Sequence, residues 1–282
     1  MTTSADETVS KVRIGDVNLA YSDAGAGPPV LLVHGFGQSS YAWRDIVNAM
    51  PGYRVLTVDL KGYGQSDKPR DGDYGLFSQA ALVREFILAL GLRDLVLVGH
   101  SFGGGVSLQV AADLCETDLG RLRGLVLVDS AALPQRLPYF LYLLRPRGLA
   151  EALVHLAPLR LAAAVALRLA CRQPRAYSWE VAGAYASTVA LPGGREAMLA
   201  TARQMIPPDI DALSARYATI TVPTLLIWGR QDPIVPLNVG ERLVKILPSA
   251  RLEIIDACGH CPHEEHPEQT ARLMNQFLGE LG

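Results

Sequence analysis

Residues 95–105 read Leu95-Val96-Leu97-Val98-Gly99-His100-Ser101-Phe102-Gly103-Gly104-Gly105. Four consecutive apolar residues suit a strand buried on both faces, the glycines permit a sharp reversal, and Val106 to Ala112 continue with a helical pattern. The reversal holds a Gly-x-Ser-x-Gly. A serine on so tight a strand-to-helix turn is strained, and side chains beside it would collide, which gives Gly99 and Gly103 a steric reason to be there. Such a turn lifts the Ser101 hydroxyl above the sheet. It also aims the Phe102 amide, at a helix N-terminus, toward negative charge developing on a bound carbonyl oxygen. The pentapeptide alone is a weak signal, since a glycine-rich turn can be a plain tight loop. The strand before it and the helix after it favour a nucleophile.

Outward from this turn, the chain alternates. Lys11 to Ile14 and Val17 to Tyr21 read as a hairpin across Gly15-Asp16, marking an antiparallel edge. Strands are expected at Val30 to Val33, Arg54 to Asp59, Leu125 to Asp129, Thr224 to Trp228 and Leu252 to Ile255, with helices near Tyr41–Met50, Ser78–Leu90, Val239–Leu247 and Glu268–Leu281. Strands apolar throughout and alternating with helices mean a parallel sheet covered on both faces. From Ser130 to Ile220 the alternation stops. That stretch is rich in Leu, Ala, Arg and Pro, and reads as short helices broken at prolines, too long for an ordinary crossover. It is expected to form a helical cap over residues 133–215, inserted into a core made of residues 1–132 and 216–282.

The bulk numbers exclude several classes. A chain of 282 residues, 49% hydrophobic, fills a large core. Its formal charge of −2 suggests neither nucleic acid nor an anionic membrane as partner. The most hydrophobic stretch, Leu149 to Cys171, is interrupted by Glu151, His155, Pro158, Arg160 and Arg168, which argues against a membrane span. A polar, acidic Met1 to Ser10 lacks the blocks of a signal peptide, so a cytoplasmic protein is expected, as a monomer or homodimer. Cys258 and Cys261 form a Cys-x-x-Cys with no second pair to complete a structural zinc site, and no metal is expected.

A serine hydroxyl needs a base, and the base an orienting carboxylate. Loops after the C-terminal ends of parallel strands share one edge of the sheet. His260 follows the strand ending at Ile255, and Asp232 the strand ending at Trp228, so Ser101, Asp232 and His260 converge there. Asp129 also ends a strand on that edge, next to Ser101, and competes with Asp232, which is preferred. His34 and His100 sit in glycine turns suited to loop hydrogen bonds. His155 falls in the cap, and His263 and His266 at the start of the last helix as capping or surface residues. A second oxyanion donor is expected from the Phe36 amide, where Gly35 lets the backbone approach a ligand. Gly35-x-Gly37-x-x-Ser40 with Asp59 also resembles a dinucleotide fingerprint, but its third glycine is a serine and His34 suits an oxyanion loop better.

Together, His34 to Gly37, Asp59 to Ser66, Gly99 to Gly104, Trp228 to Asp232 and Gly259 to His263 resemble the successive signatures of the α/β-hydrolase superfamily from about residue 17 onward. The resemblance implies an α/β fold with an eight-stranded, mostly parallel sheet, helices on both faces and an inserted helical cap. It also implies no cofactor, and triad roles for Ser101, Asp232 and His260. It leaves the reaction open. Relatives that hydrolyse epoxides or haloalkanes use an aspartate where Ser101 stands, which disfavours both. Carbon–carbon bond hydrolases use serine, and their acidic substrates need a basic group, for which the cap offers Arg136, Arg145, Arg147, Arg172, Arg175, Arg195 and Arg203. Most arginines on a helical cap are solvated. The reading that follows is a serine hydrolase of small to medium, largely apolar carboxylic esters, with a carbon–carbon bond hydrolase or a low-turnover ligand receptor as alternatives.

Overall fold

The computed structural model describes residues 9–136 and 138–282. Its strands are β1 (Ser10–Ile14), β2 (Val17–Gly25), β3 (Pro29–Val33), β4 (Arg54–Val58), β5 (Leu95–His100), β6 (Leu122–Val128), β7 (Thr224–Gly229) and β8 (Ala250–Ile255). They form one eight-stranded sheet in the order β1-β2-β4-β3-β5-β6-β7-β8. β2 pairs antiparallel with β1 and with β4, and the remaining pairings are parallel.

Successive side chains of a strand face opposite ways, so a continuous apolar run implies cover on both faces. Leu31, Val33, Leu97 and Leu127 pack on one face with Phe86 and Leu108, from helices Leu76–Ala89 and Phe102–Thr117. Val30, Leu32, Val98 and Val126 pack on the other with Trp43, Ile46, Met274 and Phe277. Each such side chain, fully buried, contributes about 1.5–3 kcal/mol relative to exposure.

Three elements depart from the periodicity. β2 runs past Tyr21 to Gly25 through the polar Ser22 and Asp23, because it pairs with β4 there and the Ser22 and Thr57 hydroxyls meet at 2.7 Å. β6 starts at Leu122 rather than Leu125; Arg123 is held by a hydrogen bond to the Leu281 carbonyl, and Gly124 gives room to Phe277. The helix expected over Tyr41–Met50 is a 3-10 turn, Ser40–Trp43, followed by one helical turn, Arg44–Val47. Pro51 disfavours helical backbone at the residue before it, so the helix stops short.

Between β6 and β7 the described residues form helices and no strand. The main ones are Leu149–Leu156, Leu159–Ala170, Trp179–Ala190 and Gly194–Gln204. Pro138 and Pro158 stand immediately before helices, and Pro174 opens a 3-10 turn. Leu159–Ala170 and Trp179–Ala190 pack through Leu167, Ala182 and Tyr185. The insert closes on the sheet at its strand ends, where the His260 amide donates to the Ala170 carbonyl at 3.1 Å.

Candidate active site

Five loops leave the C-terminal ends of β3, β5, β6, β7 and β8, and they carry His34, Ser101, Asp129, Asp232 and His260. Ser101 follows β5 with φ 51° and ψ −118°. An L-residue there stores about 1–3 kcal/mol of strain. The turn is held by the Ser101 amide donating to Val128 O at 3.0 Å and by Ser101 O accepting from the amides of Gly104 and Ala131. A Cβ at Gly103 would strike the backbone carbonyls of His34 and Val33, so the helix can start against the β3 loop only through glycine. The helix begins at Phe102, which exposes its first amides to the site.

Nε2 of His260 lies 2.9 Å from Ser101 Oγ, and Nδ1 lies 2.7 Å from Asp232 Oδ2. Asp232 Oδ1 accepts the amides of Ile234 and Val235 at 2.7 and 3.0 Å, which fixes the carboxylate. All three side chains are buried, with Ser101 9% exposed. Asp129 is fully buried. Its Oδ1 accepts the Gly229 amide at 3.0 Å, and its Oδ2 has no partner among the described residues. Burial, and then the charge of Asp232, push its carboxyl well above the usual carboxylate range. Asp129, Asp232 and His260 have the chemistry of metal ligands and lie close together. The Asp232 oxygens, however, are already committed to two amides and an imidazole.

The other histidines divide. His34 Nε2 accepts the Leu60 amide at 3.0 Å, so Nδ1 carries the proton and donates to Gly35 O at 2.8 Å. Burial holds it below its ordinary value. His100 Nε2 donates to the His260 carbonyl at 2.8 Å, bracing the loop beneath the imidazole. His155 is solvated in the insert. His266 precedes the last helix without capping it by side chain, and reaches Ala257 O at 3.2 Å. His263 is neither cap nor surface. It is fully buried between Trp43 and His100, with ring centroids 4.4 and 4.5 Å away, and burial holds it well below its ordinary value. The turn Pro262–Glu265 carries it inward.

Phe36 and Phe102 line the cavity beside Ser101, and Gly35 packs so closely that a Cβ would lie 3.1 Å from the Ser101 side chain. Asp59 accepts the amides of Ser40 and Gln65, both at 2.7 Å. Its carboxylate ties two loops together, which removes the dinucleotide reading. Cys258, Cys261 and Cys171 are free and buried.

Two groups went unread in the sequence. Glu265 accepts amides from Gly259 and Cys261 through one oxygen and from Arg172 and Gln173 through the other, joining the His260 loop to the insert. Glu264 is buried with its Oε1 2.7 Å from Arg44 Nη1, and burial raises its carboxyl despite that partner. Their only sequence signal is an acidic pair directly after a loop histidine.

The cavity above Ser101 encloses about 720 Å³. Apart from His100, Ser101, His260, Gln38, Gln135, Tyr185 and Cys261, its described lining is apolar, with no arginine, lysine or carboxylate. Three arginines of the insert have partners outside this lining: Arg175 pairs with Asp45, Arg203 with Glu151, and Arg195 Nε donates to Val154 O.

The profile of the alpha/beta hydrolase fold family matches residues 28–267, and the chain belongs to that family. It is 32% identical to a 2-hydroxymuconate semialdehyde hydrolase of Pseudomonas putida, over 92% of this chain and 89% of that protein. It is 27% identical to lipase 1 of Psychrobacter immobilis, over 92% of this chain and 80% of that one. A meta-cleavage product hydrolase of Pseudomonas fluorescens superposes with a TM-score of 0.81 at 27% identity, covering 97% of this chain and 98% of that chain. No single helix among the described residues is long and apolar enough to cross a membrane.

Proposed function

We propose that the chain is a cytoplasmic serine hydrolase that cleaves carboxylic esters of small to medium, largely apolar substrates through an acyl-enzyme. The observation that carries the substrate class is the cavity above Ser101, large and without a charged side chain among its described lining. An apolar ester desolvates into it at little cost, whereas an anionic group would be buried unpaired.

In this reading Ser101 Oγ attacks the ester carbonyl while His260 Nε2 takes its proton. Asp232 holds the imidazole in the tautomer that presents a lone pair to Ser101, and stabilises the imidazolium. The amides of Phe36 and Phe102 bind the oxyanion of the tetrahedral intermediate. Collapse breaks the carbon–oxygen bond, and His260 returns the proton to the departing alcohol. Water, deprotonated by His260, then attacks the acyl-enzyme and releases the acid. Residues 133–215 serve as a cap that excludes water from the reaction, flanked by core segments 1–132 and 216–282.

A second reading rests on the similarity to the 2-hydroxymuconate semialdehyde hydrolase. Carbon–carbon bond cleavage of a dienoate uses the same serine, but its carboxylate has no cation to meet among the described residues lining this cavity. A panel of short esters, long esters and a vinylogous diketone acid, run beside Ser101→Ala, tests the choice. Ester turnover exceeding diketone cleavage supports the ester reading. Diketone cleavage without ester turnover overturns it, and a single burst without sustained turnover favours the receptor.

A further inference from the structure

The apolar residues left in solvent concentrate on the helical insert. Leu149 is 54% exposed, Leu156 83%, Leu161 53%, Val165 52% and Leu169 58%. The spacing of Leu149 and Leu156, and that of Leu161, Val165 and Leu169, puts each set on one face of its helix. A single exposed leucine needs no explanation, whereas a contiguous set does. Leu161, Val165 and Leu169 also line the cavity, so the stripe runs over its rim. Leu149 and Leu156 do not, so no substrate held in the cavity covers them. The two helices meet at a 107° bend, which suits a pair lying on a surface.

Charge says what covers this face. Residues 136–175 contain seven arginines and one acidic residue, Glu151, in a chain whose formal net charge is −2. All seven arginines are exposed. Arg168 follows Val165 by three positions at the border of the apolar stripe and lies over the Tyr177 ring at 4.9 Å, whereas Arg160, over the Trp179 ring at 4.4 Å, projects from the other side of that helix. An apolar stripe of leucine and valine bordered by arginine, on a segment this basic, matches a layer with an apolar interior and an anionic surface. A second copy fits poorly, because a two-fold contact would press one set of arginines against the other.

We propose that this face docks on an anionic lipid surface, with the leucines in the headgroup boundary, the arginines on lipid phosphates, and the mouth of the cavity opening onto the layer. Docking goes beyond the hydrolase reading and needs no turnover. Co-sedimentation of the full chain with vesicles tests it, using phosphatidylcholine alone and phosphatidylcholine containing one-third phosphatidylglycerol. Binding is expected to the anionic vesicles and to fall as salt screens it. The double variant Leu149→Asp/Leu156→Asp should weaken it by about tenfold or more, with hydrolysis of a soluble short ester and the unfolding midpoint unchanged. Arg147→Gln/Arg168→Gln should narrow the preference for anionic over neutral vesicles. Ser101→Ala should bind like the parent, which separates failure of docking from failure of the catalytic reading. Absence of binding to the anionic vesicles overturns the proposal. So does binding that neither double variant weakens, or a concentration-dependent dimer in sedimentation velocity that Leu149→Asp/Leu156→Asp dissolves.

Discussion

Asp129 and Asp232 follow the ends of neighbouring parallel strands, each with a carboxylate oxygen within 4.8 Å of the other's, yet only Asp232 meets the imidazole of His260. Asp129 instead holds the Gly229 amide, three residues before Asp232, and so shapes the loop that presents it.

The two acids should therefore respond differently to loss of charge. Asp232→Asn is expected to lower turnover about 10⁴-fold, because an amide favours the wrong imidazole tautomer. Asp129→Asn keeps an acceptor for Gly229 and should cost less than about tenfold. Steady-state kinetics on one ester decides. If Asp129→Asn is the crippling change, the acid has been assigned to the wrong strand.

Asp129 should also mark the pH dependence of stability. Its carboxyl is raised in the native state, so the folded chain keeps a proton that the unfolded chain has released. In the window between the ordinary aspartate value and the native one, stability falls as pH rises. Asn at 129 has no proton to lose. Urea unfolding at a series of pH values from acid to neutral should give a shallower decline for Asp129→Asn, and parallel curves for the two proteins would contradict this.

Removing the proposed nucleophile should separate chemistry from folding. Ser101→Ala is expected to cut turnover by about 10⁴ to 10⁶. The turn is fixed by backbone hydrogen bonds and not by the hydroxyl, so the thermal midpoint should hold. Full esterase activity in this variant would end the acyl-enzyme reading.

Gly103→Ala tests the close approach of the helix to the β3 loop. Its Cβ would meet two backbone carbonyls, which cannot swing aside as a side chain can. A destabilisation of about 1–3 kcal/mol or more is expected, read by calorimetry as a lower midpoint. Activity should fall with it, since the same shift moves Ser101.

Arg44→Met leaves Glu264 buried without its cation. A loss of about 3 kcal/mol is expected at neutral pH. Because burial already raises the Glu264 carboxyl, acidification should neutralise it and return part of that loss. Chemical denaturation at two pH values measures both. An equal loss at both would show that the ion pair is not the cause.

Most of the sheet was legible because strands covered on both faces are written as unbroken apolar runs, as in Val30–Val33 and Leu95–Val98. The loops carrying Ser101, Asp232 and His260 could be placed from strand ends alone, since parallel topology puts those ends on one edge. What escaped was decided by partners remote in sequence. The polar end of β2 is a strand only because β4 lies beside it. His263 is buried because the turn after His260 rotates it toward Trp43, and no local pattern announces that turn. Glu265 reads as a surface acid until residues 172–173 are brought to it. The net charge of −2 is an average over a basic insert and a more acidic core, and so concealed the arginine-rich segment.

The four amides gathered by Glu265 have a consequence for engineering. Exchanging the insert for that of a relative is an obvious way to change substrate range, with the cuts placed at its two ends. Here residues 170–173 are stitched to the histidine loop, so a transplant that replaces them leaves a buried carboxylate facing open amide positions and unsettles the loop that carries His260. Splices that spare this seam, and swap only the helices on either side of it, respect the way the protein is sewn together.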